Sequence, residues 1–166
     1  MEIFTDGSHS LNPKMSGVGA VIIDGKNEWE IGTYTEKCRD NNEAEVMAIA
    51  YAIKFIKEKK IDLNSNDNNI IIYSDSAYAL RKLRDFEAGG SPLEQKALDY
   101  VQNYLNHTHK RITFFQIKGH VHDGTRLSYY NNVADMIAGD KRFLGLMRYQ
   151  DRKFRQSYMQ RKNIER

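Results

Sequence analysis

The chain has 166 residues, 40% of them hydrophobic and 28% charged, enough for one domain with a substantial core. No apolar run reaches the length of a bilayer-spanning helix, and the first residues show no basic-then-apolar leader, so no membrane association and a cytoplasmic location are expected. With Cys38 as the single cysteine an intrachain disulfide is excluded. The net charge of +3 is unevenly spread: residues 141–166 hold nine Lys or Arg against two acids, a net +7, which leaves the rest of the chain at −4. A basic end on a mildly acidic body fits an anionic partner there, and equally a solvated helix face.

In chain order, residues 2–5 read as a short strand running into Asp6-Gly7-Ser8, a turn signal. Residues 17–24 form a buried strand, Asp24-Gly25 a hairpin turn, and residues 28–35 the returning strand. A helix begins at Asn41-Asn42, with Ala44, Met47, Ala48, Tyr51, Ala52, Phe55 and Ile56 at helical spacing and Lys57, Lys59 and Lys60 at its C-terminal end. Residues 64–69 are a polar loop, and residues 70–74 an apolar strand buried on both sides. A second helix starts at Asp75-Ser76 and runs to about Phe86, and Gly89-Gly90 breaks it. A third runs from Ser91-Pro92, with Ser91 as N-cap, to about His107. Residues 112–117 form a fifth strand, 119–132 a polar loop, and a last helix starts at Asn131 or Asn132. The order β-β-β-α-β-α-α-β-α predicts an α/β fold: a mixed five-stranded sheet, opened by a three-stranded antiparallel meander, flanked by helices and extended by a basic C-terminal helix. A boundary near Gly145 divides a domain over residues 1–145 from an extension over residues 146–166.

Four acids stand out. Asp6 and Asp75 are predicted to end two adjacent parallel strands and to emerge on one sheet edge, where open α/β sheets place their sites. Glu45 lies in the first turns of the first helix and Asp135 near the start of the last. Each is flanked by apolar residues, Ala44 and Val46 or Ala134 and Met136. Gathered together, four carboxylates repel unless a cation neutralises them, and an oxygen-only donor set selects Mg²⁺ or Mn²⁺ over zinc. Two such ions roughly 4 Å apart can activate water and stabilise the leaving oxygen in phosphodiester cleavage. Taken singly, each acid also fits a local role: Asp6 in a turn, Asp75 as a helix cap, Glu45 and Asp135 as partners of a helix dipole.

Five segments, in order, resemble type 1 ribonucleases H: IFTDGS…LNP…GVGA (residues 3–20), NNEAEVMA (41–48), YSDSAY (73–78), KGH (118–120) and NNVADMIA (131–138). The resemblance spans most of the chain and implies the ribonuclease H-like fold. It implies that Asp6, Glu45, Asp75 and Asp135 hold two Mg²⁺ ions, with Mn²⁺ able to substitute, and that His120 assists proton transfer or product release. The implied reaction is hydrolysis of the RNA strand of an RNA–DNA hybrid, leaving 5′-phosphate and 3′-hydroxyl ends. Gly7, Asn12, Asn41 and Asn42 match positions that contact RNA 2′-hydroxyls and backbone, and Ser76 one that touches RNA near the cut. An amide donates and accepts, which suits the hydroxyl that marks RNA. Helix capping is the competing role for Asn41, Asn42 and Ser76. The alternatives are a catalytically silent hybrid-binding module, which intact acids disfavour, and a two-metal DNA nuclease on the same fold, which the paired asparagines and KGH disfavour. A monomer is expected, and no protein partner is deducible.

Three features depart from the family pattern. Residues 84–95 are short and not basic where many members carry a basic, aromatic-rich handle. Asp40 stands where relatives place a phosphate-holding threonine. The loop between His120 and Asp135 is long and carries His122, Asp123, Tyr129 and Tyr130. A compensating duplex clamp is expected in the tail, with Phe143, Met147, Phe154 and Tyr158 docked on the body and Arg148, Arg152, Arg155 and Lys162 outward.

Overall fold

A computed structural model describes residues 1–85, 87 and 90–164, with side chains undescribed at 63 and 161–164. Three antiparallel strands open the fold: β1 (Glu2–Leu11), β2 (Lys14–Asp24) and β3 (Asn27–Thr35). Then come α1 (Asn41–Glu58), a single turn α2 (Ile61–Asn64), β4 (Asn69–Ser74), α3 (Ala77–Asp85), α4 (Pro92–His107), β5 (Arg111–Gln116) and α5 (Arg126–Ile164). The sheet order is β3-β2-β1-β4-β5, with β4 parallel to both β1 and β5. The mixed five-stranded sheet and its opening meander are as expected.

Alternation along β1 sorts the two layers. Ile3 faces the larger core, with Ile22, Ile49, Ile53, Ile72, Leu83 and Val101, under α1, α3 and α4. Phe4 faces the opposite layer, with Val21, Tyr73 and Ala134, under α5. That second layer is thin because α5 sits almost on the backbone of β2. A Cβ at Gly17 would lie 1.9 Å from the Ala138 carbonyl oxygen, and one at Gly19 2.4 Å from that of Ala134. Among the described residues no helix is long and apolar enough to cross a membrane.

Two expected boundaries are corrected. Asp6-Gly7-Ser8 is not a turn: β1 stays paired with β2 from Glu2↔Ile23 to Leu11↔Lys14, and the chain reverses at Asn12-Pro13. Asp6 therefore lies inside a strand, opposite Gly19. The last helix starts at Arg126, not at Asn131 or Asn132, because Asp123 and Thr125 organise its entry. The Asp123 carboxylate accepts from the Thr125 N–H (3.0 Å), and the Thr125 hydroxyl accepts from the Ser128 N–H (3.2 Å). This places Asp135 in the third turn rather than at the start. The third helix has the expected cap, with Ser91 Oγ accepting from Glu94 N–H (3.2 Å). The expected end of the second helix at Phe86 and Gly89 of the helix break lie outside the described residues.

Candidate active site

Sheet order brings the acids together. β1 and β4 are parallel neighbours, so Asp6, within β1, and Asp75, one residue beyond β4, point into one region. α1 crosses β1 at Gly7, where an added Cβ would lie 2.5 Å from both Ala44 C and Glu45 N. Only glycine permits that approach, and it delivers Glu45 beside Asp6. Gly7 N–H donates to Glu45 Oε2 (3.1 Å), and the Asn41 amide donates to Glu45 Oε1 (3.4 Å). Asp6, Glu45 and Asp75 each present an oxygen within 4.8 Å of the others. Asp135, from α5, stands outside that triad but hydrogen-bonds the Asp6 carboxyl group.

The cluster is electrostatically loaded. Asp6 is pushed up to about 8, first by burial, then by the charges of Asp75 and Asp135 and by the hydrogen bond that its protonated carboxyl donates to Asp135. Glu45 is pushed up to about 9, first by burial, then by Asp6 and Asp75; the Gly7 N–H and Asn41 amide offset part of this. Alone, these groups hold protons at neutral pH. A hard divalent cation fits this all-oxygen donor set and removes the repulsion.

The rest of the predicted set frames this centre. Gly119, the middle residue of the KGH segment, touches Asp75: a Cβ there would lie 2.2 Å from Asp75 Oδ2. Next to it, His120 has a positive φ of 53° and is well exposed, with Nδ1 3.6 Å from Asp135 Oδ2, too far for a hydrogen bond. Asn41 and Asn42 are exposed at the start of α1, and neither is its N-cap. Asp40 is, its Oδ1 accepting from Glu43 N–H (2.9 Å). Asp40 also pairs with Arg39 (3.7 Å), which gives the departure from threonine a structural purpose. Ser76 caps α3, its Oγ accepting from Ala79 N–H (3.2 Å). Asn12, exposed at the β1–β2 turn, lies about 20 Å along the strand from Asp6.

Where a basic handle was missing, a buried polar knot joins α1 to α4. Tyr78 O–H donates to Glu94 Oε1 (2.6 Å), Ser91 O–H donates to Glu43, and Arg39 lies 3.8 Å from both carboxylates. Glu43 and Glu94 are almost wholly buried. Two acids with their partners spread over residues 39–94 leave no local signal to read.

The tail differs from expectation. α5 lies over β2, with Ile137 and Lys141 against Gly32 on the β3 flank, and with Asp135 and Arg142 reaching Asp6 and His9 of β1 on the other. At helical spacing Arg148, Arg152 and Arg155 continue the β3 flank, and Arg152 pairs with Glu36 (2.6 Å). Docking of Phe143, Met147, Phe154 and Tyr158 on the body is overturned, since all four are exposed. The reason is geometric. Gly145 seats α5 against Met15 and Tyr34, near where β2 begins and β3 ends. Beyond that point no sheet remains to pack against. Lys162 lies outside the residues with described side chains.

Comparison with known proteins gives concordant results. The family model "RNase H" matches residues 1–142. A ribonuclease H from Acetivibrio thermocellus is 32% identical over 153 residues, covering 85% of this chain and 93% of that one. A ribonuclease H from Chlorobaculum parvum is 30% identical over 138 residues, covering 82% and 90%. Among solved structures, LC11-RNase H1 in complex with an RNA/DNA hybrid superposes with a TM-score of 0.68 at 20% identity, covering 87% of this chain and 98% of that one. That likeness shows the fold.

Proposed function

The chain belongs to the RNase H family, and from that premise we propose that it is an endoribonuclease that hydrolyses the RNA strand of RNA–DNA hybrids with two Mg²⁺ ions, leaving 5′-phosphate and 3′-hydroxyl ends. The observation that carries this reading is the convergence of Asp6, Glu45 and Asp75 from β1, α1 and the end of β4, with oxygens within 4.8 Å and Asp135 on the Asp6 carboxyl group. In this reading the four acids hold the ions, and Mn²⁺ can substitute. Bound there, divalent ions supply a water nucleophile at neutral pH and charge stabilisation for the leaving 3′ oxygen.

The surrounding residues divide the remaining work. His120, exposed beside Asp135, moves protons or eases product release. Asn41 ties substrate reading to the centre, since the amide that faces RNA also holds Glu45. Asn42 and Asn12 contact RNA 2′-hydroxyls and backbone further along the duplex, and Ser76 touches the strand near the cut. The Gly7 N–H is committed to Glu45, so its contact with RNA runs through the carbonyl oxygen. Residues 1–145 form the catalytic domain in this scheme. Residues 146–166 form a basic extension whose Arg148, Arg152, Arg155 and Lys162 attract the duplex at a distance from the cut.

Asp75→Asn tests the assignment. It removes one oxygen anion while keeping the side-chain shape, so cleavage of a labelled hybrid should fall below detection while hybrid affinity stays within a few-fold. Wild-type cleavage by this variant would overturn the site.

A further inference from the structure

His120 sits in the loop over residues 117–125, which has no helix or strand of its own to hold it. Its backbone is left-handed (φ 53°), a conformation that a side-chain-bearing residue keeps only where its surroundings over-determine it. Two anchors do so. Before His120, Gly119 is seated on Asp75. After it, the Val121 carbonyl oxygen accepts two bonds from α5, from Ser128 Oγ (2.6 Å) and from the Asn132 amide (2.9 Å). Only the nitrogen end of the amide fits there, since its oxygen would face the carbonyl oxygen. The same Nδ2 reaches His122 Nδ1 (3.1 Å), so Asn132 grips the loop at two successive residues. The Ser128 hydroxyl is also drawn to the Asp123 carboxylate and has a single proton to share, which leaves Asn132 as the steadier hold. Ser128, Asn132 and Asp135 follow at i, i+4 and i+7 on one face of α5. The helix that carries the acid beside His120 therefore also carries the staple that sets how far His120 stands from it.

We propose that Asn132, backed by Ser128, is a positioning residue for hybrid cleavage: it acts through His120, by fixing the loop so that the imidazole stays beside Asp135. This rests on the nuclease reading and deepens it. Without the staple the loop keeps only its Gly119 anchor, and His120 spreads over positions from which it no longer meets the reacting phosphate. Binding of the duplex, which Asn41, Asn42 and the basic residues serve, is left as it was.

The test compares Asn132→Ala with wild type, in chains that keep His120 and in chains that carry His120→Ala. Alanine favours the helix, so the substitution does not weaken α5 itself. With His120 present, Asn132→Ala should lower kcat for hybrid cleavage at least ~5-fold with KM within about 2-fold, and Ser128→Ala should lower it less. In the His120→Ala chain, adding Asn132→Ala should cost less than about 2-fold more, because nothing is left for it to place. A second measurement needs no cleavage of hybrid. In the metal-free protein trypsin should cut between Lys118 and Gly119 at least ~5-fold faster in Asn132→Ala than in wild type, while it cuts after Arg155 in the exposed tail equally fast in both. Wild-type kcat in Asn132→Ala, an equal loss with and without His120, or unchanged cutting at Lys118 would overturn the proposal. A wild type that cleaves no hybrid would overturn the nuclease reading, and this role with it, even where trypsin shows the loop held by Asn132.

Discussion

Asp6→Asn should stabilise the metal-free fold while abolishing cleavage. In the unfolded chain Asp6 ionises near 3.8, whereas the folded site raises it to about 8, first through burial and then through Asp75 and Asp135. A carboxyl group with a raised folded pKa contributes most below its unfolded value, and that stability is lost as pH rises toward the folded value. For Asp6 and Glu45 the window runs from about pH 4 to between 8 and 9. At pH 7 about three units of that window have been crossed, an upper bound of about 4 kcal/mol for Asp6 at 1.36 kcal/mol per unit. The cost of keeping the site protonated is shared with Glu45 and Asp75, so replacing one acid recovers on the order of half, about 2 kcal/mol, or roughly 4–8 °C in Tm for a domain this size. Thermal melts in EDTA from pH 5 to 9 measure it. Wild type should lose stability as pH rises, the variant should melt higher with a flatter profile, and Mg²⁺ should raise wild type more than the variant. A wild-type Tm in EDTA that is flat or rises with pH would refute the electrostatic account of the site.

Two further outcomes follow from particular contacts. Gly119→Ala places a methyl group 2.2 Å from Asp75 Oδ2, so Asp75 or the loop must shift; cleavage should drop at least ~10-fold with little change in hybrid affinity, and wild-type turnover would mean that this loop is not seated on Asp75 in solution. Changing Arg148, Arg152, Arg155 and Lys162 together to Gln should lower the slope of log affinity against log salt by about 3, at roughly 0.7–0.9 per phosphate neutralised; an unchanged slope would remove the tail from duplex binding.

What could be read from the sequence was what is encoded locally. Ser91-Pro92 opened α4 as its capping chemistry dictates, and the apolar run at 70–74 became a central strand. The four acids were visible because charged residues stood in apolar surroundings. Local signals misled where distant pairing dominates. Asp6-Gly7-Ser8 has turn composition, yet ten consecutive pairs with β2 hold it in a strand, and the glycine serves α1 instead. Gly119 showed only as part of KGH; its seat against Asp75 gave no sign because the two lie 44 residues apart. The start of α5 could have been found from Asp123 and Thr125, a short-range signal hidden in a polar stretch. The helical spacing of the tail was legible, but periodicity does not say what a stripe faces, and the body ends before Met147.

Substrate choice tests the central claim most directly. The protein, incubated with labelled RNA–DNA hybrid, duplex RNA, duplex DNA and single-stranded RNA, each with Mg²⁺ or EDTA, should cut only the RNA strand of the hybrid, only with the metal, leaving 5′-phosphate and 3′-hydroxyl ends. Cleavage in EDTA, or cleavage of duplex DNA at a comparable rate, would contradict it.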